Sequence, residues 1–241
     1  MFSGQASQRA GRWTPLLLEP FAWYDASDTD TITSSGSAVS QWDDKSGNGN
    51  HVGRDTVSFQ PATGNRTMSG LNMVDYDGDD KLVGGIDFET TNMSVFMVRQ
   101  FDDISGRDDG YAYDLINNVV FDSIVERKNR GGLTVGVRNP DAEYVPMGSS
   151  TAAGLLSYIK QGANSQKAWL DGNSKGLNGD TVKNFNANLI YLGRREFDGA
   201  IGEAVFFESA VSEADRQKIE GYLAHKWGLE ANLPADHPYK S

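Results

Sequence analysis

Asp44, Ser46, Asn48 and Asn50 stand two residues apart, with Gly49 at the sixth position counted from Asp44 and Asp55 at the twelfth. Small oxygen-bearing side chains at this spacing fit a calcium loop. A hard cation collects about six to eight oxygen ligands, and a glycine in the middle permits the sharp turn. Two features depart from that pattern. The twelfth position is Asp where a bidentate Glu is usual, and no helical pattern flanks the segment. The same residues also read as a polar turn in which Asn and Gly take left-handed conformations. Both readings stand at this point, and calcium is the one cofactor the sequence suggests.

A second acidic group is Asp75, Asp77, Asp79 and Asp80 around Gly78. Alternation places the first three on one strand face, or the group is a solvated turn after Met73-Val74-Asp75-Tyr76. The pairs Asp102-Asp103 and Asp108-Asp109 read the same way. Glycoside hydrolysis needs two carboxylates across a cleft, roughly 5–10 Å apart. The string Glu213 to Glu220 falls on a helical pattern with the wrong spacing, and Glu203 stands alone in Ile201-Gly202-Glu203-Ala204-Val205. No nucleophile-elbow pattern occurs. The expectation is a protein without catalytic residues. Of the five Trp, Trp23, Trp42, Trp169 and Trp227 sit in apolar patterns and read as core. Trp13 lies outside them, next to Arg9 and Arg12, and reads as an interface anchor with those two arginines.

Composition narrows the partners. The 241-residue chain carries a net charge of −11 and a pI of about 4.7. Nucleic acid is excluded, because phosphate binding needs clustered Lys and Arg. No run of 18 apolar residues suggests a membrane span, and the first residues lack the apolar stretch of a secretory signal. Cys is absent, which excludes disulfides and thiolate metal sites, and His numbers three, which argues against a His-rich zinc site.

Elements must position these groups. Gly, Asn and Asp punctuate short apolar stretches throughout, the pattern of many strands joined by tight turns. Predicted strands include Phe21–Tyr24, Val39–Trp42, Ser94–Arg99, Val119–Phe121, Ile124-Val125, Asn188–Leu192 and Ala200–Phe207. Four consecutive apolar residues in Ser94–Arg99 predict a strand covered on both faces. Leu133, Val135 and Val137 alternate with polar or small residues, as in a half-buried strand. Asp171-Gly172 predicts a hairpin turn after Ala168-Trp169-Leu170. One helix is predicted, over about 212–227. Ser212 caps it, Ile219, Tyr222, Leu223 and Trp227 share a face, and Gly228 stops it. The chain divides into an arm, 1–12, free of acids and bearing Arg9 and Arg12, and one domain over 13–241.

Several of these segments together resemble a known family. They are Trp23-Tyr24-Asp25-Ala26-Ser27-Asp28, then Gln41-Trp42-Asp43-Asp44-Lys45-Ser46-Gly47-Asn48-Gly49-Asn50-His51, and Tyr76-Asp77-Gly78-Asp79-Asp80. Phe197-Asp198-Gly199-Ala200-Ile201-Gly202-Glu203 and Gly221-Tyr222-Leu223-Ala224-His225-Lys226-Trp227-Gly228-Leu229 complete them. The chain is similar to the laminin-G-like, concanavalin A-like lectin/glucanase superfamily, over about residues 13–240. The resemblance implies an all-β, two-sheet jelly-roll sandwich, to which the residue patterns add one C-terminal helix and an extended N-terminal arm, the arm being a departure from most such modules. It also implies non-enzymatic binding or structural duty, with calcium in some members. Relatives of this kind occur in bacteriophage virions and on bacterial surfaces. The arm and the lack of a leader favour the virion: a capsid decoration or tail protein, docking on other virion proteins through residues 1–14 and the C-terminal tail, as a homo-oligomer. The alternative is a glycan-binding adhesion module for host attachment, at the bacterial surface or secreted.

Overall fold

The computed structural model describes residues 13–105, 110–117, 123–129, 132–139, 141–162, 165–178 and 185–241. Arg9, Arg12 and the rest of the arm, the Val119–Phe121 strand and the Asp108-Asp109 pair lie outside them.

In chain order the first strands are β1 (Ala22–Asp25), β2 (Ile32–Ser35), β3 (Ala38–Trp42), β4 (Val52–Gly53), β5 (Ala62–Met68), β6 (Leu71–Asp77), β7 (Leu82–Thr90) and β8 (Asn92–Phe101). Then come β9 (Gly110–Ile116), β10 (Ser123–Asn129), β11 (Gly132–Asn139), β12 (Asp141–Gly148), β13 (Gly154–Gln161) and β14 (Gln166–Leu170). The last are β15 (Asn173–Asn178), β16 (Phe185–Arg195) and β17 (Asp198–Phe207), followed by the helix α1 (Glu213–Trp227).

Every pairing between these strands is antiparallel. One run reads β12-β11-β10-β9-β16-β7-β4-β3-β2. A second reads β15-β14-β13-β8-β17, with β1 and β6 sharing the far side of β17. β5 pairs with β6 and touches β3, so the runs join into one nearly closed antiparallel sheet. The molecule is all-β with a single α-helix among the described residues, as the sequence predicts.

Period-2 alternation explains where the core sits. On β8, Val95 and Met97 point into the space enclosed by the sheet, while Phe96 and Val98 point outward under α1. On β17, Ala204 and Phe206 point in, and Val205 and Phe207 point out. The outward residues pack with Ile219, Leu223 and Trp227 of the helix. Fully burying each such side chain contributes about 1.5–3 kcal/mol. Gly202 makes the contact close. A Cβ there would lie 2.9 Å from the Trp227 ring.

The helix has the predicted ends. Asp215 N donates to Ser212 Oγ at 3.1 Å, and Ser212 Oγ donates to Asp215 Oδ2 at 2.6 Å. Gly228 has φ 70°, and Leu229 N donates to Ala224 O at 2.8 Å. Trp23, Trp42 and Trp227 are buried as expected. Trp169 is only half-buried, with the Arg216 guanidinium 4.4 Å above its ring.

Candidate functional site

Three of the segments that carry the family resemblance, around Trp23, Glu203 and Trp227, converge on Glu203. This β17 residue is fully buried and accepts from four donors. Trp23 Nε1 and Tyr222 OH donate to Oε1 at 2.8 and 3.2 Å. Trp227 Nε1 and Lys226 Nζ donate to Oε2 at 2.8 and 2.7 Å. Lys226 also lies 2.7 Å from Asp25 Oδ1, and Lys45 bridges Asp25 and Asp28 at 2.9 and 2.6 Å. Burial drives the Glu203 pKa up, against the opposing Lys226 charge. Burial opposes ionisation of Asp25 too, but the Lys226 charge and hydrogen bonds from Lys226, Ser27 and Lys45 prevail and hold its pKa low. Each Glu203 oxygen already accepts two hydrogen bonds, and the side chain is shut off from solvent. It is a latch between helix and sheet, and the glucanase reading that would use it as a catalytic carboxylate has no geometry here.

The calcium-like segment folds as a clamp on the chain entering β1. Asp44 Oδ1 accepts from Trp23 N at 2.9 Å and Ser46 N at 2.8 Å. Its Oδ2 accepts from Ser46 Oγ at 2.7 Å and Asn50 N at 3.0 Å. Asn48 Nδ2 donates to the carbonyls of Pro20 and Phe21, and Asn50 Nδ2 to that of Phe21. Asp55 lies past β4, exposed and outside these hydrogen bonds. Asp44 therefore does with four protein donors what a metal-bound carboxylate does with an ion. Among the described residues, the acids that do converge are Asp77, Asp79 and Asp80, with carboxylate oxygens within 4.8 Å of one another. Burial first, and then the Asp77 charge, push Asp80 up to about 7.

Trp13 lines a groove of about 340 Å³ together with Lys218, Tyr222, His225 and Tyr239. Its ring meets Tyr222 edge-on at 5.7 Å, and Lys218 Nζ lies 5.1 Å from the Trp13 centroid. Tyr222 is fixed by the bond from its hydroxyl to Glu203. His225 Nε2 holds the Tyr239 carbonyl at 2.9 Å. Three aromatic rings from the chain start, the helix and the tail thus face one space, beside polar groups from Lys218 and His225. Sequence spacing did not bring Lys218, Tyr222, His225 and Tyr239 to Trp13. The two ends of the domain meet only through the fold. A separate cavity of about 380 Å³ is lined by Glu19, Asn48, Asn50, Asp87 and Glu208. Burial and the Asp87 charge push Glu208 up, the direction a general acid needs. All three carboxylates are nonetheless exposed to water.

No family model and no curated protein matches the sequence. Solved structures do. The binding domain of Paraclostridial Mosquitocidal Protein 1 is similar, with a TM-score of 0.62 and 10% identity over 86% of this chain and 53% of that one. The botulinum neurotoxin serotype D ligand binding domain, solved with N-acetylneuraminic acid, gives 0.57 and 11% over 86% and 52%. Trypanosoma rangeli sialidase in complex with 2,3-difluoro-KDN gives 0.59 and 10% over 87% and 33%. At these identities the likeness is one of fold. The chain spans about half of each toxin domain and a third of the sialidase.

Proposed function

We propose that the chain is a non-enzymatic glycan-binding attachment module on a concanavalin A-like jelly roll. The carrying observation is the groove in which Trp13, Tyr222 and Tyr239 face one space beside Lys218 and His225. Aromatic faces take the apolar C–H face of a sugar ring, and the rim groups hydrogen-bond its hydroxyls. The fold likeness supports this reading, because structures of this shape include a domain solved with N-acetylneuraminic acid and domains described as binding domains. The saturated Glu203 supports a non-catalytic role.

The test is an array of uncharged and sialylated glycans probed with the wild-type chain, Trp13→Ala and Tyr222→Ala. Saturable binding by the wild type, weakened in both variants, is expected. An array without a binder at millimolar concentration ends this reading.

Protein docking through residues 1–14, as in a virion, is a second reading. Beyond the basic arm, it is favoured by one observation: Leu16 and Leu17 follow Trp13 and expose 47% and 67% of their surface. Deleting residues 1–12 and measuring incorporation into particles tests it, and unchanged incorporation removes it.

A further inference from the structure

We infer a second ligand site, in a cleft of about 300 Å³ around Arg99 and Asp171, built for an uncharged, hydroxyl-rich sugar residue. The sugar class rests on the glycan reading. The place does not, since it shares no lining residue with the aromatic groove.

Arg99, on β8, is 1% exposed. Its Nε donates to Glu126 at 2.9 and 3.0 Å, and its Nη2 donates to the same carboxylate. Nη1 makes no hydrogen bond among the described residues and stands at Gly154, the first residue of β13. A Cβ at Gly154 would lie 3.0 Å from that nitrogen, 3.1 Å from Leu170 Cδ1 and 3.4 Å from Asp171 Oδ1. The glycine therefore keeps the floor of the cleft open. Asp171 Oδ1 accepts from Leu155 N at 2.8 Å. Its Oδ2 has no hydrogen bond among the described residues. Ser150 and Asn232 stand at the rim, and Leu133 and Leu170 supply apolar walls.

A buried donor and a buried-side acceptor left open together suit a hydroxyl, which accepts from Nη1 while donating to Oδ2. A carboxylate cannot donate to Asp171. The charges nearby also disfavour an anion: Arg99 and Lys175 stand against Glu126, Asp171 and Glu220. A neutral ligand loses nothing in such a field, whereas an anion meets a guanidinium already compensated by Glu126.

The experiment is a titration of the isotope-labelled full chain, read by backbone amide shifts. The probes are the methyl glycosides of glucose, galactose and mannose, with sialyllactose as the charged comparison. Wild type, Gly154→Ala, Asp171→Asn and Trp13→Ala are compared. Asn tolerates the left-handed backbone at 171, where φ is 51°, so Asp171→Asn keeps the turn. An uncharged glycoside is expected to shift the amides of Gly154, Leu155 and Asp171. Its affinity drops about tenfold in Gly154→Ala and Asp171→Asn, the loss of one charge-assisted hydrogen bond, and stays unchanged in Trp13→Ala. Shifts confined to Trp13, Tyr222 and Tyr239 overturn the cleft and leave the groove standing. Cleft shifts with sialyllactose alone overturn the uncharged class. Silence with every sugar overturns both sites.

Discussion

Lys226 Nζ lies 2.7 Å from Glu203 Oε2, which pins the last turn of α1 to the fully buried middle of β17. The same ammonium reaches Asp25 of β1 at 2.7 Å. One cation thus ties the C-terminal helix, the last strand and the first strand together. The indoles of Trp23 and Trp227 complete the set, and their N–H groups have no other acceptor in their hydrogen bonds. The residues by which the sequence resembles a lectin-like family therefore serve cohesion of the body. The groove gains from it indirectly, because Glu203 also holds the Tyr222 hydroxyl.

Glu203→Ala removes the acceptor of all four donors and leaves two indole N–H groups unpaired in the interior. The expected loss is about 3–5 kcal/mol, the cost of breaking a buried, hydrogen-bonded charge pair. Urea unfolding followed by Trp fluorescence measures it. A loss below about 1 kcal/mol, the range of an exposed ion pair, would show that the network is not a latch.

Asp44→Ala should cost about 2–3 kcal/mol, since it strands the buried Trp23 amide and undoes the turn through Ser46 and Asn50. The four donors that occupy its oxygens also fix the expectation for calcium. Melting temperature should be the same in chelator and in millimolar calcium. A calcium-dependent rise that disappears in Asp44→Ala would instead place an ion in this loop.

The legible parts of the fold are those whose determinants are local. β8 shows as four successive apolar residues because both its faces are covered. The helix shows through Ser212, Asp215 and Gly228, all within a turn of its ends. The Asp171-Gly172 hairpin shows because only a few residues accept positive φ, here 51° and 73°. β7 is harder to read. Its alternation through Leu82, Ile86 and Phe88 is interrupted by Gly84-Gly85, and Gly84 is small because a Cβ would strike the His51 carbonyl at 2.3 Å. The candidate sites are harder still. Trp23 and Glu203 are 180 residues apart, and Trp13 meets Tyr222 from the other end of the domain. Spacing along the chain carries no signal for such pairs. It offered a calcium loop and a polar turn as alternatives, and in the fold both Asp44 oxygens accept hydrogen bonds from the protein itself.

Asp80 gives the pH dependence its sign. Burial and the neighbouring Asp77 raise its pKa from 3.8 to about 7 in the folded protein. The fold therefore favours the protonated carboxyl. Its contribution to stability is complete below pH 3.8, shrinks as pH rises, and is gone once pH passes about 7. Asp80→Asn keeps a carbonyl oxygen for the Asp77 amide, which donates to Oδ2 at 3.2 Å in the wild type, and removes the ionisation. The variant should match the wild type near pH 4 and melt about 2–4 °C above it at pH 8, the shift expected for a change on the order of 1 kcal/mol in a domain of this size. Carboxylates away from this cluster titrate alike in both proteins, so the difference between their melting curves isolates Asp80 and its interaction with Asp77 and Asp79. Equal melting temperatures at pH 8 would mean that Asp80 ionises freely in the fold. A lower melting temperature for the variant would mean that the ionised Asp80 is held by a cation with Asp77 and Asp79.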